Sequence, residues 1–258
     1  MNNQELYARV RASLVQECVL FGSASPGARL MRAPGVLASI VPATPDRSMF
    51  NWVIYEHREA LLEQYQTFVN AYEEAGVRAW TVWVDPDDNI MPAALTLHGH
   101  KLDSQPVAMA AAMHELILPP PDDLDWRPIY DLRLVAQIND QAYGFPPPAF
   151  EAALAQWPDK AWYAYLAYLQ GEAVGTVMIY QGENGDCGVT GVATLPQARG
   201  HGIATRLLAV ALRESQARGA TTTTLQASPL GASVYAALGY RNLGVMGMWE
   251  RRRVRSSP

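Results

Sequence analysis

Apolar positions along this chain switch between the helical spacing of three to four residues and the alternate-residue spacing of a strand. In the second half the series reads clearly. A strand is predicted at 126–132, helical segments at 135–142 and 148–157, and two strands at 162–169 and 173–180 joined by the tight turn Gln170-Gly171-Glu172. A strand at 189–194 follows, then an amphipathic helix opening after Gly202, a β-branched strand at 220–226 and a second helix running into 233–240.

The first half repeats the rhythm less plainly. Residues 6–20 are amphipathic, 36–41 are strand-like, and 57–75 form a long helical pattern that stops at Gly76. Residues 79–84 read as a strand whose Trp80 and Trp83 face a core, 85–89 supply turn chemistry, and 93–98 read as the returning strand. Between the halves, 118–125 concentrate proline and acid, the composition of an extended linker. The expectation is two domains, 1–120 and 125–258, with the first an accessory unit: either a diverged copy of the second or an unrelated α/β cap.

Composition narrows the classes without naming one. With 258 residues, 49% of them hydrophobic, the chain can bury a large core. A formal net charge of −5 gives no general drive toward nucleic acid, and Arg251, Arg252, Arg253 and Arg255 read as a solvated basic tail. Cys18 and Cys187 have neither metal-ligand spacing nor a disulfide framework, so a reducing cytosol is expected and a metal is not. The longest apolar candidate, 107–118, is interrupted by His114 and Glu115, and the N-terminus lacks a secretory pattern. A soluble, cytoplasmic protein with no membrane partner is the expectation.

The chemistry concentrates in Gln197-Ala198-Arg199-Gly200-His201-Gly202-Ile203-Ala204, which follows an apolar strand and opens a helix. Two glycines let the backbone approach a ligand, and the first helical turn offers unpaired N–H groups to a phosphate. A nucleoside-triphosphate loop needs a Lys-Ser/Thr pair after the second glycine, and none is present. A dinucleotide fingerprint needs a third glycine where Thr205 stands and an acid about twenty positions on, and 217–224 have none. The pattern Gln/Arg-x-x-Gly-x-Gly/Ala instead resembles the acetyl-CoA-binding motif of the GNAT superfamily of N-acetyltransferases. The downstream Tyr235, three residues, Gly239 and Tyr240 are similar to that family's second block.

The resemblance implies an α/β fold of the α+β kind: a mixed, mostly antiparallel sheet flanked by helices, with a second GNAT-like or α/β N-terminal domain. It implies acetyl-CoA as acyl donor, held by Gln197, Arg199, Gly200, His201, Gly202, Ile203, Ala204 and Thr205. Backbone amides of Val192, Ala193 and Thr194, in a strand whose Gly191 would ease a bulge, would meet the acetyl carbonyl and pantetheine arm. Tyr235 is the expected catalytic acid for the leaving thiolate and also a cofactor contact. Ser228 stands where many relatives carry asparagine.

The general base is left open among Glu183, Asp186, His201 and water, with Glu183 and Asp186 read first as parts of a solvated turn. The function implied is N-acetyl transfer by direct attack of an amine on the thioester. The alternative is a non-catalytic acyl-CoA-binding sensor. A small-molecule amine or a peptide or protein amine would serve as acceptor, with Tyr143, Phe145 and the prolines Pro146, Pro147 and Pro148 near its entrance. Exposed sheet edges would suit a homodimer, and two fused units would satisfy the same need internally.

Overall fold

The structure is a computed structural model that describes residues 1–121, 123–156 and 161–253. In chain order its elements are α1 (Asn3–Phe21), β1 (Arg29–Ala33), β2 (Val36–Ile40), β3 (Trp52–Tyr55), α2 (Arg58–Glu74), β4 (Ala79–Val84), α3 (Met91–Leu97), β5 (Lys101–Ser104) and β6 (Val107–Ala112). There follow β7 (Asp125–Ile129), α4 (Leu132–Tyr143), α5 (Ala149–Ala153), β8 (Trp162–Leu169), β9 (Glu172–Gln181), β10 (Asp186–Thr194), α6 (Ile203–Ala217), β11 (Thr222–Ala227), α7 (Ala232–Ala237), β12 (Arg241–Val245) and β13 (Gly247–Arg252).

Two sheets organise these elements. One has the order β1-β2-β3-β4-β13-β5, the other β12-β6-β11-β10-β9-β8-β7. The first is antiparallel except for β3 with β4; in the second, β7–β8, β8–β9, β9–β10 and β6–β11 are antiparallel and β10–β11 is parallel. Beside each parallel pair sits an antiparallel strand drawn from the other end of the chain, β13 against β4 and β6 against β11. The strand series from β8 to β12 thus follows the same order as the series from β1 to β5.

The exchange sets the compact units. One comprises Met1–Leu14 and Val107–Leu243, the other Val15–Pro106 and Gly244–Pro258. A single cut through the proline-rich segment, as the composition there invites, would separate β6 from the sheet that it completes. In that segment the Arg213 guanidinium donates to the Leu118 and Pro119 carbonyls at 2.9 Å. Asp122 lies outside the described residues.

Most elements fall where the apolar spacing puts them, and Trp80 and Trp83 are buried in β4. The turn Gln170-Gly171 closes the β8–β9 hairpin with both residues at positive φ, as a two-residue turn requires. Several expectations change. Residues 93–97 form part of helix α3, which His98 ends, not a returning strand, because Asp88 accepts the N–H groups of Ile90 and Met91 and starts a helix there. Met91 and Leu95, four apart, then face the core. The strand expected over 126–132 is β7 and stops at Ile129, since Asp131 accepts the Arg133 N–H at 2.9 Å and caps α4. Helix α5 spans only Ala149–Ala153, and Trp157, the last residue of the helix expected there, lies outside the described residues.

The basic C-terminus is not a free tail either. Arg251 and Arg252 belong to β13, Arg252 pairs with Glu250 at 2.7 Å, and Arg253 approaches Glu73 at 3.4 Å. Arg255 lies outside the described residues. Cys18 and Cys187 are free and buried, and burial pushes both thiols up to about 12.

Candidate functional site

Strand β10 changes character along its length. Its first residues pair in parallel with β11, as Asp186 with Thr222, Cys187 with Thr223 and Gly188 with Thr224. The ladder then ends, although β10 continues to Thr194 and β11 to Ala227. The two strands part there, and the backbone edge of β10 beyond Gly188 is left without a ladder to β11. On its other edge β10 pairs with β9 through a bulge: Thr190 lies opposite Met178 and Ala193 opposite Thr176, so three steps on β10 match two on β9. Gly191 sits in the bulge at φ +59°, a left-handed conformation costly for a side chain. The glycine therefore marks the distortion its sequence position foretold.

The strand runs on into the glycine loop and α6. Gly200 (φ +80°) and Gly202 (φ +68°) both take left-handed conformations, Gly202 directly preceding Ile203, the first helical residue. The N–H of Arg206 bonds the Gly202 carbonyl, so the earlier first-turn amides of Ile203, Ala204 and Thr205 have no carbonyl of the helix to bond. A Cβ at Gly200 would meet no atom within 4 Å, and one at Gly202 only Arg206 Nε at 3.9 Å. The backbone of the loop is thus open to approach at the positive end of a 15-residue helix. Gln197, Arg199, Gly200, His201 and Gly202 are exposed around it, and Ile203 anchors it from the core.

The side chains of the loop are partly committed to its own shape. Arg199 donates to the Thr194 carbonyl (3.2 Å) and the Ala142 carbonyl (2.8 Å), tying the end of β10 to the end of α4. His201 Nδ1 lies 2.9 Å from the Arg199 carbonyl, to which it can only donate, and Arg206 donates to the His201 carbonyl at 2.9 Å. Arg206, which no motif marked, is a second cation beside the loop, its Nε 3.9 Å from where a Gly202 Cβ would sit.

Tyr235 lies on α7, half-buried, its ring edge-on to Tyr240 at 5.8 Å. Burial raises its phenol well above the ordinary value, and the neighbouring Tyr143 phenol adds to the rise. Ser228 does a local job, its Oγ accepting the Gly231 N–H at 3.1 Å just before α7. At the other side of the bulge, Tyr143 points its hydroxyl at the Val192 carbonyl over a long 3.5 Å. Its ring lies nearly parallel to those of the half-buried Phe145 (6.1 Å) and the buried Phe150 (5.8 Å).

The candidate bases fare differently. Glu183 is exposed in the β9–β10 turn. Asp186, read first as part of that turn, is instead the buried first residue of β10, accepting from the Thr222 and Thr224 hydroxyls at 2.7 Å each. It lies five residues upstream of Gly191, about 16 Å at 3.3 Å per residue, so it clips β10 to β11 away from the bulge. Two residues that the sequence did not bring forward do reach the bulge, Thr176 and Asn139. Asn139 carried a signal, being polar at a core-facing position four residues after Val135. Thr176 carried none, because a threonine is unremarkable in a strand. Among the described residues no group of three or more His, Cys, Asp or Glu could hold a metal ion, and no helix is long and apolar enough to cross a membrane.

Residues 126–240 match the family model described as Acetyltransferase (GNAT) family. The fold is similar to a GCN5-related N-acetyltransferase from Kribbella flavida (TM-score 0.69, 18% identity, 96% of each chain covered). It is also similar to a GCN5-related N-acetyltransferase from Sphaerobacter thermophilus (TM-score 0.60, 19% identity, 84% of this chain and 76% of that one). A tandem GNAT protein from the clavulanic acid biosynthesis pathway aligns at TM-score 0.57 and 13% identity over 97% of each chain. At these identities the likeness carries the fold. No curated protein matches the sequence.

Proposed function

From the premise that residues 126–240 are a GNAT acetyltransferase domain, we propose that this chain transfers an acetyl group from acetyl-CoA to an amine at the mouth between β10 and β11. The observation that carries the reading is the continuity of three features along one stretch of backbone: a β10 edge without a ladder to β11 beyond Gly188, a bulge at Gly191 and an open left-handed loop at the start of α6. Bound acetyl-CoA supplies the thioester whose acetyl group the amine accepts. The first-turn amides of α6, with Arg199 and Arg206 at the rim, would bind its pyrophosphate. The free edge of β10 at Val192, Ala193 and Thr194 would receive the pantetheine arm and the acyl carbonyl through backbone N–H groups.

Tyr235 serves as the proton donor. Its raised pKa keeps the phenol neutral through physiological pH, so its proton remains available to a departing thiolate. Among the described residues Asp186 is held by two threonine hydroxyls, and Asp140 accepts the Phe150 N–H at 2.9 Å through Oδ1 at the start of α5. With Asp186 committed to β11, deprotonation of the amine is assigned to water in this reading. The rings of Tyr143 and Phe145, backed by the buried Phe150, favour an acceptor with a flat apolar body over a polycation.

Calorimetric titration with acetyl-CoA, followed by thiol release across a panel of amines, tests the reading. Saturable binding with turnover is expected, fastest for aromatic or apolar amines. Binding without turnover would favour an acyl-CoA sensor, and absence of binding by folded protein would remove the reading.

A further inference from the structure

Thr176 is fully buried in β9, and its hydroxyl donates to the Gly191 carbonyl at 2.5 Å. Behind it, Asn139 Nδ2 donates to Thr176 Oγ1 at 3.2 Å and to the Val135 carbonyl at 2.8 Å. The chain of bonds has one sense only. A carbonyl can only accept and an amide NH₂ can only donate, so the threonine proton must point at Gly191. A trans peptide directs its C=O and N–H oppositely, so fixing the Gly191 carbonyl toward Thr176 turns the Val192 N–H away from β9.

This arrangement is not what stability alone would choose. A bulge needs only its glycine, whereas burying an amide and a hydroxyl beneath it costs desolvation. The cost is visible, because Asn139 Oδ1 is buried without a hydrogen-bond partner among the described residues. A valine at 176 and a leucine at 139 would fill the same space without that cost.

We infer that Thr176, backed by Asn139, is a positioning residue that sets the Gly191–Val192 peptide so that the Val192 N–H meets the acyl carbonyl. The inference rests on the acetyl-transfer reading above. Neither residue touches the reacting atoms, and both act through one peptide plane.

The test compares wild type with Thr176→Ser, which keeps the hydroxyl, and Thr176→Val, which keeps the shape. Affinity for CoA is measured by calorimetry, the Val192 amide proton is followed by NMR with CoA and with acetyl-CoA, and single-turnover transfer is timed with an accepted amine. Wild type and Thr176→Ser are expected to shift the Val192 proton further downfield with acetyl-CoA than with CoA. Thr176→Val is expected to lose that difference, keep its CoA affinity and transfer at least about tenfold more slowly, short of the 10²–10³ lost when a donor is deleted outright.

A Val192 shift in Thr176→Val equal to wild type would overturn the inference, as would a wild-type amide that does not distinguish the two ligands. Should Thr176→Val fail to fold, Asn139→Leu, which leaves the hydroxyl but frees its proton, is expected to weaken the acetyl-dependent shift, and an unchanged shift would again overturn it. Wild type that binds neither ligand would instead remove the parent reading.

Discussion

Ala112 of β6 lies opposite Thr222 of β11 in an antiparallel ladder that continues to Val107 opposite Ala227. Ala112 precedes the proline-rich segment and Thr222 belongs to the far end of the chain. In the other sheet Trp249 of β13 lies opposite Val82 of β4. Each sheet therefore depends on a strand supplied from beyond the segment that composition marks as a boundary.

A fragment beginning at residue 121 should then be defective although it contains the whole family match. Without β6, the edges of β11 and β12 are bare, and unpaired edges associate. Size exclusion and circular dichroism of the fragment should show aggregation or lost structure, and co-expression with residues 1–120 should restore a soluble pair. A monomeric, fully folded 121–258 fragment would contradict the strand exchange as a stabilising feature.

Gly202→Val should weaken acetyl-CoA binding by at least about tenfold, since a β-branched residue at φ +68° costs about 1–3 kcal/mol and distorts the first turn of α6. The change lies in exposed backbone, so the thermal midpoint should move by only a few degrees, roughly. Calorimetry on wild type should find one acetyl-CoA per chain. The corresponding entry to α2 has no glycine pair, and Asp88 there is engaged by the Tyr55 hydroxyl at 2.9 Å and Arg58 at 3.4 Å. A second binding event would refute this assignment of the site to one unit.

Tyr235→Phe should lower the chemical step by about 10²-fold or more while leaving CoA affinity nearly unchanged. The ionised phenol is the disfavoured form in this half-buried setting, so loss of the tyrosine proton should not depress the wild-type rate below pH 10. Single-turnover kinetics against pH would expose an error, because a fall near pH 8 that vanished in the phenylalanine variant would assign Tyr235 a lowered pKa.

Asp186→Asn should alter stability and spare chemistry. Burial raises the Asp186 pKa above its unfolded value, more than the two threonine bonds lower it. Its favourable contribution to folding is complete below the unfolded pKa of about 3.9 and is lost as pH rises through the folded value. Urea midpoints should therefore show wild type losing ground to Asp186→Asn as pH is raised from the unfolded pKa of about 3.9 through the folded value. Turnover per folded molecule should be equal, and a selective loss of activity in the variant would return Asp186 to the list of bases.

The sequence by itself determined the elements that are governed by neighbours along the chain. The Gln197–Ala204 run specified a loop entering a helix, because left-handed glycines and a following amphipathic face are local demands. Gly191 foretold a bulge for the same reason. Where a distant partner decides, local reading misled. The turn at 85–89 looks like a hairpin until Asp88 is seen capping α3, and the acid in 182–186 looks solvated until Thr222 and Thr224 arrive from β11. Thr176 and Asn139 acquire a role only when β9, β10 and α4 stack, and β6 and β13 find partners that no local pattern names. Strand pairing is settled by long-range register and burial, and it is tertiary structure that chose which sheet each strand completes.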